Sequence, residues 1–315
     1  MMLNFVYAID KNYNIQAYTS INSLLRNIDQ KINIFIMHEE PDTFDNFAQN
    51  LSTSSKIENL KIVEINIDID LPNLEGSHVS KATYFRIFFD KHLPNNIENV
   101  IYIDADIICT GNPAKYLEQV FIELKKSEYL IAARTDLIKN ENNLPSEIFE
   151  RLELSSSKYF NAGLLVFNHK EWLENSIYLN LQTELKNIYK KIKYWDQDVL
   201  NSYFDGKYLE ISSLLNFPIN PQSMSITAKS FLQSISFIHF QGNRKPWNLD
   251  GIFLTNSIIY QNAVLDTTIG SYHIVPNNLI KDLFFIFASL IKRKSKNIDI
   301  ITLIKSYFKF LNFTK

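Results

Sequence analysis

Apolar runs of strand length alternate with segments of helical period through the first half of the chain. Asn4–Ile9 predicts a strand, followed by a helix around Ile15–Arg26 with Ile21, Leu24 and Leu25 on its apolar stripe. Ile32–Met37 predicts the next strand, Phe44–Leu51 a helix, and Lys61–Ile67 a third strand. Lys81–Lys91 has a helical pattern with Tyr84, Phe85 and Phe88 facing inward and Pro94 beyond its end. Asn99–Ile103 is a strand closed by two acids, Asp104 and Asp106. Strands alternating with helices imply an α/β fold built on a mostly parallel, doubly wound sheet.

The second half is less regular. Tyr129–Ala133 and Ala162–Phe167 predict strands separated by a polar stretch from Lys139 to Ser157, long enough to suggest a flap over a site. Lys193–Phe204 begins as a loop and continues as a helix, and Ser236–Phe240 is a short strand. After Trp247 the periodicity weakens. No internal repeat and no glycine- or proline-rich linker interrupts the chain, which predicts one continuous domain over residues 1–280. Residues 281–315 differ, with eight basic residues against Asp282 and Asp299. The bases sit among the apolar segments Leu283–Ile291 and Ile298–Ile304 and the aromatics Tyr307, Phe308, Phe310 and Phe313. No apolar run reaches the roughly 20 residues that span a bilayer. Basic amphipathic helices with Phe and Leu opposite their charges lie in membrane interfaces, so this tail is expected to associate with an anionic membrane surface, the alternative being a helix packed on the preceding domain with its charges solvated.

Composition narrows the classes. A net charge of −2 argues against a nucleic-acid binder, whose footprint is strongly basic. The single cysteine, Cys109, excludes an internal disulfide and fits a reducing compartment. The first ten residues carry no basic n-region and no long apolar run, so a secretory signal is not expected. The seven glycines are too scattered for a phosphate-cradling loop. A nucleotide diphosphate would therefore have to be held by a metal and by cationic side chains.

Asp104 and Asp106 either hold such a metal or, as a short motif standing alone more often does, cap the following turn through Asp104 and leave Asp106 solvated. Residues two apart on a strand share a face, so both acids are expected to leave the strand end together, with Ala105 pointing elsewhere. Two close carboxylates repel, and hard carboxylate oxygens suit Mg²⁺ or Mn²⁺. Ligands of open α/β sheets bind at the carboxyl ends of strands, which is where the pair falls. Four segments join them. Ala8-Ile9-Asp10-Lys11-Asn12-Tyr13 ends the first strand, where Asp10 and Asn12 either bond a base or ribose or cap the helix. Tyr159-Phe160-Asn161-Ala162-Gly163 leads into a strand; Asn161 bonds a sugar hydroxyl or marks a turn. Tyr194-Trp195-Asp196-Gln197-Asp198 puts three polar side chains at a helix start. His239-Phe240-Gln241-Gly242-Asn243-Arg244-Lys245 offers an imidazole and two cations at a strand end; a lone histidine there is more often structural, whereas beside two carboxylates it is a candidate third ligand of a transition metal.

In order and approximate spacing over about residues 3–250, these segments resemble the family 8 retaining glycosyltransferases, the group that includes the bacterial lipo-oligosaccharide and lipopolysaccharide α-galactosyltransferases and glycogenin. The resemblance implies a GT-A fold, a UDP-sugar donor, a saccharide or glycolipid acceptor and Mn²⁺, or Mg²⁺, bridging protein and donor. It makes Asp104, Asp106 and His239 the metal ligands. Ala8, Asp10 and Asn12 fall on uridine-binding positions; Arg86, Ala105, Asn161, Ala162, Asp196 and Gln197 fall on or near donor-sugar positions; Gly242 and Lys245 fall on the diphosphate. His78, Asp136 and Leu215–Pro221 fall near the acceptor. Gln197 stands where a nucleophile would, and an amide is a poor one, so the resemblance implies front-face attack with Gln197 and Asp196 at the catalytic centre and Asp196 or Asp198 as the alternative nucleophile. Transfer of galactose or glucose in lipopolysaccharide core synthesis, at the cytoplasmic face of a bacterial inner membrane, is the expectation. A sugar nucleotidyltransferase and a non-catalytic carbohydrate-binding module are the alternatives; the first normally brings a glycine-rich loop after its first strand, absent from Ile9–Asn12, and the second needs no diphosphate clamp.

Overall fold

The computed structural model describes residues 1–66, 70–72, 80–139, 146–219, 229–291 and 298–313. Its large sheet has seven strands: β1 (Leu3–Ile9), β2 (Ile32–His38), β3 (Ile57–Glu64), β4 (Asn99–Ile103), β6 (Ile131–Ile138), β7 (Lys158–Asn168) and β8 (Leu209–Glu210). They lie in the order β3-β2-β1-β4-β7-β6-β8. Strands β1 to β4 are mutually parallel, and β7 runs antiparallel between β4 and β6. A second sheet of three short strands, β5 (Ile107–Cys109), β10 (Phe237–Phe240) and β9 (Phe217–Ile219), stands beside the end of β4.

The near-continuous apolar character of β1, β2 and β4 reflects burial on both faces. Helices Asn14–Asn27 and Ala114–Lys126 cover one face through Ile21, Leu24, Leu117 and Phe121. The other face packs on Tyr84, Phe85, Phe89, Trp172 and the helices Ile177–Asn187 and Trp195–Phe204. Each such fully buried side chain contributes about 1.5–3 kcal/mol relative to exposure.

Several elements differ from their sequence reading. The third strand is Ile57–Glu64 rather than Lys61–Ile67, because its pairing with β2 starts at Ile32↔Ile57; Ile67 lies outside the described residues. Lys81–Lys91 is not an α-helix but two 3₁₀ segments, Lys81–Ile87 and Phe89–His92. Every residue from Tyr84 to Asp90 is buried there, so no single amphipathic stripe exists to support a regular α-helix. The stretch from Lys139 to Ser157 is not a flap over its described part: helix Ser146–Arg151 packs Ile148 and Phe149 into the core. Residues 140–145 lie outside the described ones.

The C-terminal segment folds as two helices, Leu279–Ile291 and Ile300–Phe313. Ile286, Ile298, Leu303 and Tyr307 share a buried cluster with Leu249 and Ile252 of the preceding body. The first of these helices begins two residues before the expected boundary at 280/281. Among the described residues no helix is long and apolar enough to cross a membrane.

Candidate active site

The parallel strands aim their carboxyl ends at one cleft of about 510 Å³. β1 delivers Ala8, Ile9 and Asp10 to it, and β4 delivers Asp104, Ala105 and Asp106. β7, antiparallel to β4, brings the near end of its strand alongside: Asp104 N–H donates to Gly163 O at 2.8 Å, which places Asn161 and Ala162 in the wall. The pairing of β6 with β7 slips on either side of Arg134↔Asn161, the local irregularity that re-aims side chains at such sites. β10 pairs with β5 at His239↔Ile107 and so sets His239 beside the acids.

The acids converge through a turn rather than through strand alternation. β4 ends at Ile103, and Ile107 N–H donates to Asp104 O at 3.2 Å, closing a turn over residues 104–107. One ligand atom from each of Asp104, Asp106 and His239 then lies within 4.8 Å of the others. Gly163 makes this approach possible: a Cβ there would stand 2.2 Å from His239 Cε1 and 3.0 Å from Asp104 Oδ2.

Charge in the cleft is paired and buried. Arg86 reaches Asp104 Oδ1 at 3.0 Å and Asp196 Oδ2 at 2.7 Å, donates to Ala162 O, and lies 4.4 Å over the Tyr102 ring. Tyr102 hydroxyl donates to Asp104 Oδ1 at 2.9 Å. Lys245 Nζ donates to Asp106 Oδ2 at 2.6 Å and to Phe240 O at 2.8 Å. Burial raises the Asp104 carboxyl against the pull of Arg86, with Asp106 adding to the rise. For Asp106 burial works the same way, but Lys245 and His239 outweigh it and hold that carboxyl well below its ordinary range. Burial pushes Asp196 up to about 7 despite Arg86. Tyr13 also lines the cleft, and burial, then Asp106, Asp10 and Asp104, raise its phenol so that it stays a hydroxyl donor.

The site fits a divalent cation. Asp106 Oδ1 is buried without a hydrogen-bond partner, 3.3 Å from His239 Nε2 but not aligned with it. Two hard carboxylates and one imidazole form a donor set that suits Mn²⁺ or Mg²⁺.

Of the residues expected on the donor side, Ala8, Asp10, Arg86, Asp104, Ala105, Asp106, Asn161, Ala162, Asp196, Gln197, His239, Gly242 and Lys245 all line the cleft, as does Asp136 from the acceptor side. Asp10 is also a cap, accepting from Asn12 N–H at 2.8 Å. Asn12 itself is exposed and outside the lining, since the 3₁₀ turn Lys11–Tyr13 rotates it to solvent. Asp136 is paired with Arg134 at 2.8 Å. His78 and Pro221 lie outside the described residues. Leu215 does not line the cleft; it is in the core, and Phe217–Ile219 forms β9. Asp198 is not in the cleft either: fully buried, it binds Arg151 at 2.8 Å and accepts from Lys193 N–H, Tyr194 N–H and Tyr159 hydroxyl. Arg244 turns away to Asp250, 3.9 Å distant.

Sequence reasoning assigned no role to Tyr102 or Trp195, and Asn216 only a place in the acceptor-side segment Leu215–Pro221. Tyr102 stands two before Asp104, which is a same-face signal. Trp195 carries φ 50°, a strained backbone for so bulky a side chain, held by the hydrogen bonds of Lys193 and Tyr194 to Asp198. Asn216 is wholly buried within Leu214-Leu215-Asn216-Phe217, and a buried polar residue in an apolar run is its signal.

A mostly parallel sheet, an acid pair at a strand end and a histidine from a second small sheet make up a GT-A fold. Consistent with this, the model of glycosyl transferase family 8 matches residues 4–251, and the chain belongs to that family. It is 27% identical over 260 residues to a lipopolysaccharide 1,2-glucosyltransferase of Escherichia coli, covering 78% of this chain and 73% of that one. It is 29% identical over 269 residues to a lipopolysaccharide 1,3-galactosyltransferase of Salmonella typhimurium, covering 82% and 77%. Its fold superposes on a crystal structure of the galactosyltransferase LgtC in complex with donor and acceptor sugar analogs, with a TM-score of 0.65, 20% identity, and coverage of 89% of this chain and all of that one.

Proposed function

We propose that this protein transfers galactose or glucose from a UDP-sugar to a saccharide acceptor of the lipopolysaccharide core, with retention of the anomeric configuration. The observation that carries the reading is the convergence of Asp104, Asp106, His239 and Lys245 in one cleft. A Mn²⁺ ion held by Asp104, Asp106 and His239 would neutralise charge on the departing diphosphate. Lys245, already at this wall, adds a cation for the same charge without proton transfer. Tyr13 offers a hydroxyl donor, and Asp10 and Ala8 close the nucleotide end.

Retention through a covalent intermediate needs a free carboxylate in the cleft. Asp196 is engaged by Arg86 and Asp198 by Arg151 outside the lining, which favours front-face attack by the acceptor hydroxyl. Gln197 supports the reacting face as an amide: its Oε1 accepts from Ala162 N–H at 3.0 Å, and its Nε2 donates to Tyr159. The relatives' names divide between glucose and galactose, so a donor screen tests the reading. Incubation with UDP-galactose or UDP-glucose and Mn²⁺ should release UDP. UTP with pyrophosphate would identify a nucleotidyltransferase instead, and no turnover would leave a binding module.

The C-terminal helices supply the second part of the proposal, a peripheral site at the cytoplasmic face of the inner membrane where a glycolipid acceptor is met. Ile280, Phe284 and Phe287 are 80%, 74% and 62% exposed on one helix, and Ile301 and Phe308 are exposed on the next. Lys281 and Lys305 accompany them, which suits an anionic lipid surface, whereas Lys309 donates to Ile269 O and Ser271 Oγ of the body.

A further inference from the structure

Asn216 lies outside the cleft lining, yet it touches two residues of its wall. Its Oδ1 is 3.1 Å from His239 Nδ1, and its Nδ2 donates to Asn161 Oδ1 at 2.9 Å. The direction of both bonds follows from a group that can only donate: the backbone N–H of Gly163 gives its proton to Asn161 Oδ1 at 3.0 Å. With the Asn161 oxygen fixed as an acceptor, Asn216 turns its NH₂ to Asn161 and its oxygen to His239. A carbonyl oxygen accepts, so His239 Nδ1 carries a proton.

The same polarity continues beyond Asn161. Its Nδ2 donates to Gln197 Oε1 at 3.4 Å, and that oxygen is pinned as an acceptor by Ala162 N–H at 3.0 Å. Gln197 Nε2 then donates to the Tyr159 hydroxyl at 3.3 Å, which donates to Asp198 Oδ1 at 2.8 Å. Asp198 ends the chain as a buried acceptor secured by Arg151. From His239 to Asp198 every bond points the same way; backbone N–H groups orient the Asn161 and Gln197 amides, and Asn216 takes its orientation from Asn161.

We propose that Asn216 is a positioning residue that holds His239 in the Nδ1–H form, so that Nε2 is the nitrogen presented to Asp104 and Asp106, and that ties this ring to Asn161 and Gln197 on the facing wall. The proposal rests on the reading of His239 as a metal ligand. Which ring nitrogen ligates is set by the hydrogen bond of the other, and loss of such an outer partner costs roughly 10–100-fold in metal affinity. An Asn216 that only filled space would tolerate an isosteric apolar side chain without moving the proton on the ring.

The test uses the full chain labelled with ¹⁵N-histidine, free of metal, with spectra recorded at alkaline pH. Long-range ¹H–¹⁵N spectra should show the wild-type His239 proton on Nδ1. Asn216→Leu should shift the proton toward Nε2 and weaken binding of Mn²⁺ alone about 10–100-fold, read from the electron paramagnetic resonance of free Mn²⁺. Asn216→Asp keeps an acceptor for Nδ1 while losing the donor to Asn161 Oδ1, and should retain the Nδ1–H tautomer, which decides the matter should the Leu variant fail to fold. A wild-type proton on Nε2, a folded Asn216→Leu protein that binds Mn²⁺ as tightly as wild type, or loss of the tautomer in Asn216→Asp would each overturn the proposal. Unchanged Mn²⁺ binding in His239→Ala, with the Nδ1–H form intact in wild type, would instead overturn the metal-ligand reading beneath it.

Discussion

Arg86 sits between Asp104 and Asp196, 3.0 Å from one and 2.7 Å from the other, and fixes the geometry of both. Neither carboxylate is free to move without leaving a buried guanidinium short of a partner, a change that costs several kcal/mol. Burial pushes Asp196 up to about 7. Above that pH the carboxylate is ionised and holds Arg86; below it the group takes a proton and the pair is lost. The kcat/KM of the enzyme should therefore rise with pH through about 7, because this parameter reports the free enzyme's groups. Asp196→Asn should remove that inflection and stay low throughout, which a pH–rate series on both proteins checks; the same inflection in the variant would assign it elsewhere. The acid pair showed in a short motif, while His239 and Lys245 became legible only through the order and spacing of the segments that carry the family resemblance. The partnership of Arg86 with Asp196 joins residues more than a hundred positions apart and leaves no local trace.

Strands and helices of the first half were legible because β1, β2 and β4 are buried on both faces and read as apolar runs. The displaced β3 is an edge strand with much of its surface exposed, so its apolar pattern is weak and its register comes from pairing with β2. The 3₁₀ segments and the turn at residues 104–107 were illegible for a different reason: tertiary packing, not periodicity, fixes them. The C-terminal helices were read as an appendage, yet His273 shows how they are joined to the body. Its ring stacks on Trp247, accepts or donates with Tyr260 at 2.7 Å, and packs against Phe310 of the last helix. Burial pushes this imidazole down to about 3 from an ordinary 6.5. Between those values the unfolded chain binds a proton that the folded one refuses, so stability falls as pH drops through the window. The slope is at most about 1.4 kcal/mol per pH unit. His273→Gln, which has no titration there, should lose less stability than wild type between about pH 7 and about pH 4, as thermal unfolding at both conditions would reveal. Equal losses would place the acid sensitivity in another group.

At the scale of the molecule, a cleft built by the first 250 residues is combined with an exposed apolar face on the last helices. Deleting the tail would strip Ile286, Leu303 and Tyr307 from a shared cluster, so the membrane proposal is better tested on the full chain. Phe284→Asp with Phe287→Asp alters only exposed positions. The double variant should lose sedimentation with anionic vesicles while still hydrolysing UDP-sugar in solution; undiminished sedimentation would move the contact to another surface. The central claim concerns the cleft itself, where two acids and a histidine share one site with Lys245. Its most direct measurement is UDP release from UDP-galactose and UDP-glucose by wild type, Asp104→Asn and Asp106→Asn, with Mn²⁺ and with EDTA. The account predicts release by wild type that stops with EDTA, returns with Mn²⁺, and falls at least about a hundredfold in either variant while both remain folded. Release that persists in EDTA and survives both substitutions would contradict it.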